Sequence, residues 1–253
     1  MRKLLLLFAL FAIFTFKNKA QTVTDYDGNI YHTVTIGTQV WMVENLKTTH
    51  YRNGDPIPNV TINRDWFGLS TCAFCWYNND ESTYKNPYGA LYNWYAVNDS
   101  RNICPSGWHI PSEAEWTTLY TYIGGTSVAG GKLKEAGFTH WVSPNTGATN
   151  IIGFTALPGG IRSLAGHFME IGYLGTLWSS TEYGSNALDQ DFFNSSTNIN
   201  IESFDKRVGI SVRCVMDNPT IPTLSQWGLI IFGFILLIIG VVYLIKKRMV
   251  LTR

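Results

Sequence analysis

A basic central region is the first thing missing from this 253-residue chain. Eight of its 19 lysines and arginines lie in the first 20 and last 8 positions, while all 18 acidic residues lie between them. Residues 21–220 therefore hold 11 basic against 18 acidic side chains, a formal charge of −7. That balance excludes a phosphate-neutralising surface, so no nucleic-acid partner is expected. Cysteine is scarce, with four residues, and so is histidine, with five scattered residues (His32, His50, His109, His140, His167) and no His-x-x-x-His pair. A zinc site needs about four ligands, and only one Cys-x-x-Cys is present, Cys72 to Cys75. Gly-x-Ser-x-Gly, P-loop and His-Glu-x-x-His motifs are absent, which removes the commonest hydrolase, nucleotide-binding and metalloprotease signatures. No Pro/Ser linker, low-complexity tract or 20 to 50 residue repeat divides the interior, so residues 21–218 read as one domain with ample material for a core.

Charge is also missing from two runs, residues 4–16 and 229–245. The first follows Met1-Arg2-Lys3 and ends near Ala20, the pattern of a secretory signal peptide over 1–20, with signal peptidase cutting between Ala20 and Gln21. The second belongs to an uncharged stretch, 227–245, long enough for one transmembrane helix, and is followed by Lys246-Lys247-Arg248. A basic cluster there predicts a cytoplasmic C-terminus, hence a type I membrane protein with its acidic domain exported to the cell envelope or surface. Ahead of this span stand Ile221, Pro222, Thr223, Leu224, Trp227 and Gly228; Pro222 keeps its neighbour extended and interrupts any helix. Together, residues 219–253 resemble the IPTL-type C-terminal sorting domain of bacterial surface proteins. That resemblance implies processing by an exosortase-like enzyme at an exposed peptide; a permanent anchor is the plainer alternative.

Within the exported interval aromatic residues and glycine are both abundant, which suggests turn-rich packing with few long helices. The Asp27-Gly28 pair between alternating runs predicts a hairpin, with strands over 30–36 and 39–44. Residues 88–97 read as a short aromatic helix. After Pro111, Ser112 and Glu115 form a capping box, and Trp116, Leu119, Tyr120 and Ile123 fall on one helical face that Gly124 ends. Strands are expected over 154–157, 177–180 and 208–215. Four cysteines in an exported chain (Cys72, Cys75, Cys104, Cys214) point to disulfides, with three connectivities open. For Cys72 and Cys75 a redox motif or half of a zinc site are the alternatives.

A series of motifs in order, among them Trp41-Met42-x-Glu44-Asn45-Leu46-Lys47, Tyr88-Gly89-x-Leu91-Tyr92-Asn93-Trp94, Cys104-Pro105-x-Gly107-Trp108-His109-x-Pro111-Ser112, Gly153-Phe154-x-Ala156-Leu157-Pro158-Gly159-Gly160 and Ser211-Val212-Arg213-Cys214, resembles the Fibrobacter succinogenes major paralogous domain. The resemblance implies an α+β, C-type-lectin-like fold of the branch shared with formylglycine-generating enzymes, with short helices on twisted antiparallel sheets and loops presenting a surface. It further implies a long-range Cys104–Cys214 bridge, which leaves Cys72 and Cys75 to close a small local ring. The paired cysteines of those enzymes have no counterpart near Pro158-Gly159-Gly160-Ile161-Arg162, so their oxidase chemistry is not transferred. Trp76-Tyr77-Asn78-Asn79-Asp80 partially echoes a lectin sugar motif. Its Asn and Asp oxygens suit a calcium ion and its rings a sugar face; a turn with a buried Trp is the plainer alternative. The expectation is a noncatalytic surface protein for binding or adhesion, to a glycan or another surface protein, with no organic cofactor. The alternatives are an exported enzyme and a structural envelope component.

Overall fold

The Asp27-Gly28 turn forms as the sequence predicts: Gly28 adopts φ 79° and its N–H donates to Asp25 O. It joins β1 (Thr22–Thr24) to β2 (Ile30–Ile36), which pairs in turn with β3 (Gln39–Met42), all antiparallel. The computed structural model describes residues 21–217, 232–238 and 240. After β3 come α1 (Asn63–Phe67), β4 (Phe74–Cys75), α2 (Glu81–Tyr88), β5 (Leu91–Tyr92), α3 (Trp94–Val97) and β6 (Trp108–His109). Then follow α4 (Glu113–Ile123), α5 (Thr126–Leu133), β7 (Ile161–Arg162), β8 (Phe168–Met169), β9 (Leu174–Tyr183), β10 (Asn186–Phe193), β11 (Ile199–Asp205) and β12 (Val215–Met216). A five-stranded sheet has the order β1-β2-β3-β12-β6, a three-stranded meander the order β11-β10-β9, and β4-β5 and β7-β8 are two-stranded ribbons. The architecture is α+β, with short helices and antiparallel sheets.

The main core lies where α4 meets β3 and the meander. The capping box is complete: Glu115 accepts from Ser112 N and Ser112 Oγ, each at 2.8 Å, and Gly124 ends α4 in the left-handed conformation. Its predicted apolar face, Trp116, Leu119, Tyr120 and Ile123, is buried against Trp41, Phe154, Leu177 and Phe192. Trp41 and Trp116 lie 4.6 Å apart, with Phe154 edge-on to both. Each large ring of this kind buries about 150–250 Å², more than an aliphatic side chain supplies. Helix α5 contains Gly130, a poor helix former, for a steric reason: a Cβ there would lie 2.7 Å from Asn198 O. The missing side chain lets α5 sit directly on the chain leading into β11. A satellite core of Trp66, Ala73, Cys75, Tyr77 and Leu91 forms around Arg162, whose guanidinium lies 4.3 Å from the Trp66 ring.

Three expected elements differ. Residues 88–97 are not one helix: Gly89, at φ 76°, turns the chain where a Cβ would meet Leu46 O at 2.6 Å. Tyr88 ends α2, Leu91–Tyr92 pairs with β4, and helix resumes only over Trp94–Val97. Residues 154–157 form a single bridge, Lys134 to Ala156, because Thr155 takes φ 57° and breaks the extended run. Residues 208–215 divide their backbone bonds among Arg162, Tyr92 and Leu177 rather than one partner strand. Arg213 in that segment is wholly buried and donates to Asn45 Oδ1, Phe154 O and Thr155 O. Loss of hydration pushes its pKa down to about 9.

The chain divides into two units, Met1–Val215 and Met216–Arg253. In the second, residues 232–238 and 240 are helical, and Phe232, Phe234 and residues 235–238 are exposed. Among the described residues no helix is long and apolar enough to cross a membrane. Most of the span expected over 227–245 lies outside them.

Candidate functional site

The Trp76 to Asp80 segment is placed as a structural turn. Trp76 is buried, edge-on to Phe74 at 5.6 Å, with Lys85 Nζ 5.3 Å from its ring. Tyr77 packs in the satellite core against Tyr84 and Phe168. Asn78 and Asn79 take positive φ, a conformation asparagine tolerates, and Asn79 Nδ2 donates to Thr61 O. Asp80 caps α2, accepting from Thr83 N at 3.1 Å and Ser82 Oγ at 2.6 Å; these hydrogen bonds hold its carboxyl below the usual range. Neither ring offers a face to a sugar, and the carboxylate already serves a helix. Among the described residues no group of three or more His, Cys, Asp or Glu side chains is placed to hold a metal ion.

Cys104 and Cys214 form the long-range disulfide, with Cα atoms 6.1 Å apart. The local ring does not form: Cys72 and Cys75 are both free thiols. Cys75 belongs to β4 and points into the satellite core, whereas Cys72 bonds to Tyr95 O and Asp99 Oδ2. Three residues of extended chain span roughly 10 Å, beyond the ~7 Å that a disulfide tolerates. Of the expected processing residues, Gln21 is exposed and its carbonyl accepts from Thr33 Oγ1. Ala20, Ile221, Pro222, Thr223, Leu224, Trp227 and Gly228 lie outside the described residues.

The structure brings together a different set of side chains, on loops 50–58 and 98–106. Asp25 fixes the hairpin turn by accepting from Asn29 N at 2.9 Å and Tyr31 Oη at 2.5 Å. Two residues on, Asp27 reaches the next loop and accepts from Thr49 N, Thr48 Oγ1, Thr49 Oγ1 and His50 Nδ1. Burial works against its charge, but the bonds from Thr49, His50 and Thr48 win and hold Asp27 below the usual carboxylate range. Arg52 ties the two loops by donating to Cys104 O, Pro105 O and Trp108 O. Arg101 does the same from the other side: it grips Asp99 through two nitrogens at 2.9 and 2.8 Å, reaches Asp55 at 3.2 Å, and stacks 4.0 Å from the Tyr51 ring. The paired guanidinium holds the Asp99 carboxyl far below its ordinary range.

Two hollows flank this clamped pair of loops. The first, about 280 Å³, is lined by Thr24, Asp25, Tyr26, His50, Arg52 and Ser106, with the backbone around Cys104 beneath. Tyr26 is 60 % exposed; its ring lies 5.5 Å from His50 and crosses Gly54, where a Cβ would fall 2.5 Å from the Tyr26 hydroxyl. The second, about 540 Å³, is lined by Pro56, Pro58, Cys72, Tyr95, Asp99 and Arg101 among others. Both offer aromatic faces beside hydroxyl, carboxylate and guanidinium groups, a combination suited to small polar ligands. Nothing in the local sequence marks these residues, because the Asp27–His50 and Arg52–Cys104 contacts link positions 23 and 52 apart.

Comparison with known proteins finds no similar curated protein and no similar solved structure. Residues 34–216 match the family model described as Fibrobacter succinogenes major domain. His50, Arg52, Asp99 and Arg101 fall within the match; Asp25, Tyr26 and Asp27 precede it.

Proposed function

This chain belongs to the Fibrobacter succinogenes major domain family, and on that premise we propose that its exported part is a noncatalytic binding module of the cell surface that takes a glycan in the hollow beside Tyr26. One observation carries the reading: an exposed Tyr26 ring borders a concave site lined by Asp25, His50, Arg52 and Ser106. Sugars are held by an aromatic ring against their C–H face and by polar groups on their hydroxyls, and here the ring is anchored over Gly54. The Cys104–Cys214 bridge supports reading the fold as C-type-lectin-like. An oxidase of the related branch would need two cooperating thiols, whereas Cys75 is packed in a core and Cys72 faces a different hollow.

The full chain on a glycan array should bind a restricted set of sugars, and Tyr26→Ala should weaken that binding about tenfold, the equivalent of roughly 1.4 kcal/mol. Asp80→Ala should leave it unchanged, and so should calcium removal, since Asp80 is committed to its helix. Failure to bind any glycan, or equal binding by Tyr26→Ala, counts against this site.

The reading places the module outside the membrane, with a signal peptide cut before Gln21 and a sorting signal at Ile221 to Gly228, preceding a 227–245 membrane span. Support comes from the apolar ends and the basic residues beside them. Intact mass of the surface-exposed protein should show loss of the chain from within 221–228 onward. A mass that includes residues 229–245 would sink the sorting signal and leave a simple anchor.

A further inference from the structure

The hollow beside Tyr26 carries one charge that the fold itself does not cancel. Of the acids around it, Asp25 is spent on Asn29 N, Asn29 Nδ2 and Tyr31 Oη. Asp27, bonded to the lining residue His50, is likewise spent on Thr48, Thr49 and that histidine. Arg52 is held differently. Its Nε donates to Cys104 O at 3.0 Å and its Nη2 to Pro105 O and Trp108 O, all uncharged carbonyls, and it forms no ion pair among the described residues. By contrast, Arg101 is neutralised by Asp99 and Asp55, and Arg207 by Asp205. The third guanidinium nitrogen of Arg52, Nη1, keeps both N–H donors for a ligand, and the side chain is exposed in the wall of the hollow. Three backbone bonds fix this guanidinium in advance, so little side-chain freedom is lost when an anion docks on it. Residues 21–220 carry a formal −7, and their general field attracts no anion; a preference for one has to come from a local cation.

Resting on the reading that this hollow takes a glycan, we propose that its ligand is an acidic sugar, whose carboxylate or sulfate group docks on Arg52 while the Tyr26 ring covers a C–H face. The volume, about 280 Å³, is small for a ligand pocket, so a single acidic unit of a longer glycan sits in it. A hydrogen bond between a guanidinium and an anionic oxygen is roughly twice as strong as one between neutral groups. An uncharged sugar of the same shape forgoes that gain and keeps only the contacts of its hydroxyls. Those contacts come from Ser106 and from His50, which spends Nδ1 on Asp27 and has Nε2 left for a ligand. Tyr26 thus holds a sugar ring of either kind, and Arg52 selects the acidic one.

The test uses the full-length chain and matched probes: oligosaccharides of glucuronate and galacturonate, their methyl esters, and glucose and galactose oligosaccharides with and without sulfate esters. At least one acidic probe should bind about tenfold more tightly than its uncharged match, and the stronger of carboxylate and sulfate identifies the anion. Arg52→Gln should bring that probe down to the level of its uncharged match. Arg64→Gln removes the same charge from an exposed position on α1 and should leave the preference intact. Because Arg52→Gln also loosens the loop clamp, the comparison of acid with methyl ester on the parent chain carries the test by itself. An ester that binds as well as its acid, or an equal loss of preference in Arg64→Gln, would overturn the assignment. Sugar binding that depends on Tyr26 but ignores charge sinks the acidic ligand and leaves the glycan reading standing, whereas absence of all sugar binding removes the glycan reading itself.

Discussion

Loss of the Cys104–Cys214 bridge, by reduction or by the double substitution Cys104→Ala and Cys214→Ala, should lower the stability of the domain by about 3–5 kcal/mol. The bridge closes a sequence separation of 110 residues, and a loop of that length confers roughly 4.7 kcal/mol in the chain-entropy treatment, an upper bound. Both cysteines are fully buried and lie where loops and sheet meet: Arg52 donates to Cys104 O, and Met42 N in β3 donates to Cys214 O. Releasing the link therefore frees both the loop face and the junction of the last strand with β3. Urea denaturation with and without reductant measures the difference. A loss below about 1 kcal/mol would mean that packing alone holds the ends of this loop.

The second large effect concerns two acids on the central strand of the meander. Asp189 and Asp191 stand two residues apart in β10 and so face the same side of the sheet, and both are almost completely buried. Each has one oxygen without a partner, and neither has a salt-bridge partner among the described residues. Thr176 on β9 donates to Asp189, while Glu202 on β11, directly opposite Asp189, adds a third negative charge nearby. Loss of hydration, reinforced at Asp189 by the charge of Asp191, raises both carboxyls above their ordinary range. Two acids so buried and so close are expected to hold one proton between them at neutral pH.

The folded state thus binds more protons than the unfolded state once pH exceeds about 4, the ordinary aspartate value. The pair's contribution is greatest below that pH and is lost as pH rises through the raised titration. Asp189→Asn supplies an amide donor to Asp191 and removes the proton requirement. Its stability relative to the parent chain should grow with pH, with a slope bounded by about 1.4 kcal/mol per pH unit for one proton. Denaturation midpoints of the two proteins at pH 4, 6 and 8 give this difference, from which the other titrating groups cancel. A constant or shrinking difference would show that the pair carries no shared proton.

Legibility differed by kind of feature. The Asp27-Gly28 turn, the Ser112 to Glu115 capping box and the apolar face of α4 were all readable, since each depends on residues within a few positions of one another. The long disulfide was accessible through the family resemblance. The Cys72–Cys75 ring was misjudged because spacing says nothing of direction: an extended backbone sends one thiol into a core and the other into a hollow. The composition of the Trp76 to Asp80 segment is shared by sugar sites and by tight turns, and burial decides for the turn with a buried Trp. Strand β10 escaped notice because its polar positions, Asp189, Gln190 and Asp191, are buried and disguise the alternation, and β11 because nearly all of it is exposed or half-buried.

By itself, then, the sequence determined the segregation of charge, the uncharged ends, the family and the local turns and caps. These follow from composition and from neighbours along the chain. Tertiary structure alone decided which thiols pair, which aspartate caps a helix and which are buried side by side, and which loops assemble into hollows. Thiol pairing and the hollows turn on contacts between residues 23 to 110 positions apart, and the roles of the aspartates on side-chain direction and burial, where hydration is lost and partners are gained only after the chain has folded.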